Sequence, residues 1–524
     1  MQTGTARQLV CIAAASAALA CTILQFDARA ADNAEPSLSG PGLQQWRRIA
    51  MDRAVATAST IADPYRRAEA FAGVAKAQIA SDDMHGAEAA IRAALAAADL
   101  VTQPAFRGWV FHDIVVVQIA ADDLLGARQT ADRIHADRPH GAALVIIAEV
   151  QLRSGELAAA QATAAKIRDR GSRGTALRQI VAIQAAADAL PAGLETLRAI
   201  DDDFYLAYAL GDVAAAEVRR GDIKAAEALV GRARRNQRPL ILGRIAVARA
   251  DVGDIRGALD TLARIEDPLQ RAVTLSRVAS ARIAVGQVAD GQRLLVSALN
   301  SVDPVRNLPY RKAVTLSQLA RVQISSGDRS GALSTLGRAL VVGNSLQPGE
   351  QRDDALDLIA RSQARAGNAE AAMTTASGVT DRIARALLIR DVVSVRTEQG
   401  TVAAGVANFD DPLMRTAALF GMLGAQLTKP NLAVAAPTID AAHAAVSSIG
   451  EMELKPAALA TLASLRVASG NAAGDSIFQE AIAAAEAVGN DEQRAIAYTR
   501  IVDALNDRML FLGQPVRGER TLPL

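Results

Sequence analysis

The stretch Lys312-Ala-Val-Thr-Leu316-Ser-Gln-Leu319-Ala320-Arg-Val-Gln323-Ile324-Ser-Ser-Gly327-Asp328-Arg-Ser-Gly-Ala332 is the clearest copy of a pattern that recurs about twelve times between Arg67 and Asp475. The place of Gly327 is taken elsewhere by Asp82, Asp122, Gly155, Asp188, Gly221, Gly253, Gly286, Gly367, Gly400, Pro430 and Gly470. Neighbouring turn positions lie 30 to 33 residues apart, except for four intervals of 40 or 41. A period near 33 means that each unit is one small supersecondary element, unable to bury its apolar face alone and stacked on its neighbours to do so.

The copies agree in more than the turn. Fifteen residues before it stands a basic residue, for example Arg67, Arg173, Arg271, Lys312, Arg415 or Lys455, and only Leu206 breaks the series. An aliphatic residue comes eight before the turn (Ile114, Ile147, Leu319, Ile359), and a small one often comes seven before it (Ala75, Ala148, Ala320, Ala360). Phe71, Phe111, Leu144, Leu275 and Leu356 stand eleven before. Spacings of three and four describe one apolar stripe on a helix. Five residues after the turn, Ala87, Ala127, Ala160, Ala226, Ala258, Ala332 and Ala372 open a second helix with its own stripe, as in Leu336 and Leu340.

The punctuation suits two helices per unit. Gly221-Asp222, Gly253-Asp254 and Gly327-Asp328 pair a left-handed glycine closing one helix with an acidic cap opening the next. Asp63-Pro64, Asp267-Pro268 and Asp411-Pro412 place an N-cap before a proline at the first helical position. No β period is present. The fold class is therefore all-α, without a sheet, built as a solenoid of antiparallel helical hairpins. The four longer intervals are expected to extend the second helix or its exit loop.

In unit length, the small residue inside the first helix, the Gly-Asp turn and the alanine five residues later, the chain resembles the tetratricopeptide repeat (TPR) superfamily over residues 46–506. The resemblance implies a right-handed superhelical solenoid of about twelve hairpins, with first helices lining a concave side that receives a peptide or a partner helix. The family's first-helix aromatic is replaced by Gln78, Gln118, Gln151, Gln184, Gln323 and Gln363, or by Arg249, Arg282, Arg396 and Arg466. The segments Trp46–Ile61 and Arg494–Ile501 read as half-units that cap the two ends of the array.

Half the residues are hydrophobic but only 3% are aromatic, so stability must come from many small aliphatic contacts. Arg7, an apolar run from Leu9 to Leu24 and Ala28-Arg29-Ala30 read as a signal peptide over residues 1–30, cut before Ala31 and followed by a linker over 31–45. The expected location is periplasmic or secreted, the alternative being an anchor through an uncleaved signal or a lipidated Cys21. Cys11 and Cys21 both lie in this segment, so the processed chain has no thiol chemistry. Removing residues 1–30 takes away Arg7, Arg29 and Asp27, and the formal charge falls from +1 to 0. Neither nucleic-acid binding nor membrane insertion after signal cleavage is expected. Residues 507–524 read as a flexible tail.

Catalytic and phosphate-binding motifs, including HExxH, GxSxG and the phosphate loop, are missing. His85 and His140 occupy slots held by other polar residues in sister units, and Asp201-Asp202-Asp203 falls between helices, where acids cap. Repetition itself argues against an active centre, which needs a unique constellation. No cofactor and no metal are expected. Residues unlike their counterparts in the repeat then become the candidates for binding. By the resemblance, first-helix residues thirteen, ten and six before the turn face the groove. Most are small; Trp109, His112, Arg178, Tyr208, Arg321, Asp357, Arg361, Arg390 and Phe420 are not. Aromatic residues and arginine dominate binding hot spots. The leading expectation is a non-enzymatic scaffold or adaptor holding a protein or peptide partner in the cell envelope. The alternative is a helical cell-wall enzyme or a peptidoglycan- or oligosaccharide-binding protein, for which Asp357 is the one unpatterned inward acid.

Overall fold

The computed structural model describes residues 41–398, 400, 409–427, 432–450, 454–468 and 474–506. The signal segment and most of the linker read from the sequence, together with the tail over 507–524, lie outside these residues. Among the described residues there are 25 α-helices and no strand. After α1 (Pro41–Thr60), hairpins follow in chain order: α2 (Pro64–Ala80) with α3 (Met84–Asp99), α4 (Pro104–Ala120) with α5 (Leu124–Asp132), α6 (Asp137–Arg153) with α7 (Leu157–Ala165), and α8 (Arg170–Ala186) with α9 (Leu190–Arg198). Next come α10 (Asp203–Arg220) with α11 (Ile223–Val230), α12 (Arg238–Asp251) with α13 (Ile255–Ala263), α14 (Pro268–Ala284) with α15 (Val288–Val302), α16 (Pro309–Ser325) with α17 (Arg329–Asn344), and α18 (Glu350–Arg365) with α19 (Ala369–Ser377). α20 (Arg382–Glu398) precedes residues outside the description. The array ends with α21 (Pro412–Leu427) and α22 (Leu432–Ser447), α23 (Lys455–Ala468) and α24 (Gly474–Glu486), and α25 (Asp491–Asn506). By their contacts the described residues form two compact units, one over 144–339 and one over 41–143 with 340–506.

The turn register follows from backbone chemistry. Gly155, Gly221, Gly253, Gly286, Gly327, Gly367 and Gly400 all have φ between 77° and 90°, and Asp82, Asp122 and Asp188 adopt φ 60° in the same slot. Glycine takes this left-handed conformation without a Cβ penalty, and aspartate is among the few other residues that tolerate it. The next backbone N–H then reaches back to the first helix, Asp254 N to Arg249 O at 2.8 Å and Asp328 N to Gln323 O at 2.9 Å. The side chain of that same residue caps the second helix: Asp83, Asp123, Asp254 and Asp328 accept from Gly86, Gly126, Gly257 and Gly331 at 2.8–2.9 Å.

The apolar stripes close the hairpins. Ile114, Ile180, Leu319 and Ile359 are fully buried, as are Ala148, Ala320 and Ala360 beside them and Ala127, Ala160, Ala332 and Ala372 across the turn. A buried Ile or Leu contributes roughly 2 kcal/mol. Alanine keeps the axes close, and enlarging it would cost about 1–3 kcal/mol in overpacking. The glutamines that stand in place of an aromatic are buried, and two of them staple the paired helices: Thr163 and Thr375 donate to Gln151 and Gln363, each at 2.8 Å. Arg249 fills the slot in its own unit, donating to Gly257 O at 3.1 Å and Thr261 Oγ1 at 2.8 Å.

The recurring basic residue is structural as well. Arg67, Arg271, Arg415 and Arg494 donate to the carbonyls of Ile61, Ile265, Phe409 and Val488, six residues upstream in each case. Each ties the start of a first helix to the end of the preceding segment. The longer intervals act on the second helix: it spans 8 or 9 residues in the short units but 16, 15, 16 and 16 in α3, α15, α17 and α22. Seven extra residues add two turns, about 10 Å.

The terminal half-units, expected to cap separate ends, instead pack on each other. α1 lies along α25, and α25 packs on α2 as first helices pack elsewhere. Trp46 stacks on Phe478 with centroids 5.3 Å apart, and its Nε1 donates to Asp475 at 3.2 Å. Arg47 donates to Leu505 O at 2.6 Å, Thr60 to Asp491 at 3.1 Å, and Asn506 to Ser81 at 2.9 Å. The physical reason is complementarity. α25 is a first helix lacking a second, α1 is a second helix lacking a first, and each buries the stripe that the other leaves bare.

Candidate functional site

Stacked hairpins place equivalent positions of successive first helices side by side, so a polar residue repeated at one position becomes a row. In the unit over 144–339, α10, α12 and α14 carry such a row at Asp212, Arg244 and Arg277, and Arg178 on α8, one place out of that register, joins it. Arg178 lies over the Tyr208 ring at 4.8 Å, and Tyr208 in turn meets Phe204 at 5.0 Å. Asp212 sits between two guanidiniums, 3.8 Å from Arg178 and 3.2 Å from Arg244. Gly211 lets this happen: a Cβ there would stand 3.0 Å from Arg244 Cγ, so the arginine stem lies across the bare backbone. Arg277 follows on α14, exposed on one side, and no carboxylate or hydrogen-bond acceptor among the described residues engages it.

The electrostatics are those of a partly dehydrated, net positive strip. Burial pushes the Asp212 carboxyl above its usual range, and Arg244, Arg178 and Arg219 offset this only in part. Burial lowers the Arg277 pKa, and the neighbouring Arg244 charge lowers it further. Arg178 Nε and Asp212 Oδ2 are buried without a hydrogen-bond partner among the described residues, a costly arrangement for a purely structural ion pair. At the N-terminal ends of α10, α12, α14 and α16 lies an open cleft of about 660 Å³, bordered by Phe204, Tyr208, Leu240, Gln270 and Arg311.

The residues singled out by sequence divide as follows. Arg178 and Tyr208 join this strip. Arg321 is exposed on α16. Asp357, Arg361 and Arg390 come together in the other unit, where Arg361 donates to Asp357 at 2.9 Å and also to Asp391, and Arg390 donates to Asp391 at 2.8 Å. Arg361 is thereby the bridge between α18 and α20, and its pKa is raised, the two carboxylates outweighing the effect of burial. Trp109 is 36% exposed and meets the His112 ring edge-on at 5.3 Å, while His112 pairs with Asp113 at 2.9 Å. Phe420 requires a correction. It is 0% exposed and fills the interior of α21's packing, where no partner can reach it.

Sequence reasoning missed Asp212, Arg244 and Arg277. All three stand nine residues before their turns, one place round the helix from the position chosen, and Asp391 holds the same place. The run of charges at that position was the available signal. Among the described residues no group of three His, Cys, Asp or Glu side chains could hold a metal ion, and no helix is long and apolar enough to cross a membrane.

No family model and no curated protein matches the chain. Among solved structures, Ton1535 from Thermococcus onnurineus NA1 is similar at 15% identity, over 63% of this chain and 94% of that one, with a TM-score of 0.25. A circular tandem repeat protein with novel repeat topology and enhanced subunit contact surfaces is similar at 16% identity, over 87% and 90% of the two chains, with a TM-score of 0.11. Likeness at these scores carries no argument about site or function.

Proposed function

We propose that the protein is a non-enzymatic scaffold or adaptor, TPR-like in its repeats and exported to the periplasm, which binds a protein or peptide partner on the face formed by its first helices. The observation that carries this reading is the strip of Arg178, Tyr208, Arg244 and Arg277 beside an aromatic-walled cleft. Most other irregular charges are spent on the array itself, as Arg361 is between α18 and α20. A repeat array offers many near-equivalent positions along one face, which suits an extended guest.

The test is affinity capture from an envelope fraction with the full chain as bait. One defined partner should be retained, and the Arg244→Glu/Arg277→Glu variant should lose it while keeping its helical circular dichroism. Undiminished capture by that variant would remove the first-helix face from consideration. Location is tested separately by mass spectrometry of the exported protein, whose first residue should be Ala31; an intact Met1 in a cytoplasmic fraction would refute export.

A further inference from the structure

The arginine row suggests the chemistry of the guest, on the premise that the first-helix face is where a partner binds. Three guanidiniums, Arg178, Arg244 and Arg277, lie on first helices of the same stack, with Asp212 the one carboxylate paired among them. Arg277 faces its like-charged neighbour Arg244 without an acceptor among the described residues. Side-by-side guanidiniums that have lost part of their hydration are stabilised by an anion, and guanidinium binds carboxylate through paired, geometrically matched hydrogen bonds.

Spacing narrows the choice. Packed helix axes stand roughly 8–10 Å apart, so arginines at one position of successive first helices repeat at about that distance. An extended peptide rises about 3.3 Å per residue, so side chains three apart repeat at about 10 Å. A single small anion cannot span that row. Beside it, the exposed Phe204 ring borders the 660 Å³ cleft with Tyr208 buried beneath it, which offers a stacking surface next to the charges. We propose that α8, α10, α12 and α14 form a site for an acidic peptide in extended conformation, its carboxylates on Arg244 and Arg277 and an adjacent aromatic or aliphatic side chain in the Phe204–Tyr208 cleft.

Selection of a phage-displayed random 12-residue library on the immobilised full chain tests this. Selected sequences should carry Asp or Glu at intervals of about three, with Phe, Tyr, Trp or Leu close by. A synthetic peptide of the selected sequence should bind at least tenfold more weakly to Arg277→Gln, whose melting temperature should match the wild type because the change breaks no hydrogen bond or ion pair among the described residues. Glu→Gln changes in the peptide should weaken it comparably, with Arg277→Lys intermediate. C-terminal amidation separates side-chain carboxylates from a chain-terminal one: loss on amidation alone assigns the row to a free C-terminus. Neutral or basic winners, or winners indifferent to Arg277→Gln, would overturn the acidic-peptide site while leaving peptide binding standing. A library that yields no binder would sink both readings, and capture of polyphosphate ahead of any peptide would assign the row to another polymer.

Discussion

Asp353 offers the sharpest test of how one hairpin is tied to the next. It lies on α18 at 6% exposure, and its carboxylate accepts three hydrogen bonds from the segment entering α20: Thr380 N at 2.9 Å, Thr380 Oγ1 at 2.6 Å and Asp381 N at 2.9 Å. Asp353→Asn keeps the shape but turns one acceptor oxygen into a donor facing a donor. Hydrogen bonds to a charged group contribute about 1.5–3 kcal/mol each, less than additively, so a loss of about 2 kcal/mol is expected at pH 7. Repeat arrays need not unfold in one step, so the assay is native-state hydrogen exchange of amides 380–393. At about 1.4 kcal/mol per factor of ten, local opening there should rise roughly 30-fold. The pH dependence has a definite sign. Burial alone would raise this carboxyl's pKa, but the Thr380 hydroxyl and the two backbone N–H groups hold it below the ordinary 3.8. A depressed folded pKa means that the unfolded state binds the proton more readily. The wild-type advantage is therefore complete above pH 3.8 and disappears as pH falls through the folded value. Equal exchange in variant and wild type at pH 7, or a gap that persists in strong acid, would refute the reasoning.

Gly421→Ala should destabilise the α20–α21 contact by about 2 kcal/mol or more, because its Cβ would stand 2.2 Å from the Arg390 carbonyl oxygen; an unchanged melting curve would contradict that close approach. Arg361→Ala leaves Asp357 without its ion-pair partner and Asp391 with Arg390 alone, and a double-mutant cycle with Asp391→Asn should give a coupling of about 1 kcal/mol. Asp357→Asn should leave any capture of a partner intact, and if it instead abolished a measured turnover of peptidoglycan, the enzymatic alternative would displace the scaffold reading. Trp46→Ala removes the stack on Phe478 and the bond to Asp475; about 2 kcal/mol of local stability should go, read as faster proteolysis within both α1 and α25, and cleavage confined to one of them would refute their mutual dependence.

The hairpin register was legible because each turn residue is a backbone requirement: Gly253 and Gly327 sit where φ is positive, and the following aspartates cap as their spacing indicates. The extended second helices were half legible. The extra seven residues showed in the interval, but helix and loop shared the same alanine-rich composition. Gln151 and Gln363 were visible as a departure from the family pattern, yet their bonds to Thr163 and Thr375 need the hairpin to be folded first. The site was least legible. Around a helix one residue is 100°, and the reading stopped one position short of the row that holds Asp212, Arg244 and Arg277. Phe420 shows the converse: an aromatic at a nominally outward position is wholly buried. Nor does local sequence say that two half-units more than 400 residues apart are halves of one hairpin; that pairing is a property of the stacked chain.

That split hairpin has a consequence for how the chain comes to be made. A linear stack can settle unit by unit as it emerges, each new hairpin docking on the last. Here the earliest helix of the array waits for the latest, since α1 buries Ala50, Ala54 and Ala58 where α25 and its neighbours pack. Until α25 has been made, the α1 stripe lacks the helix that covers it. A chain truncated before α25 would leave that stripe bare, an exposed apolar patch of the kind that promotes association.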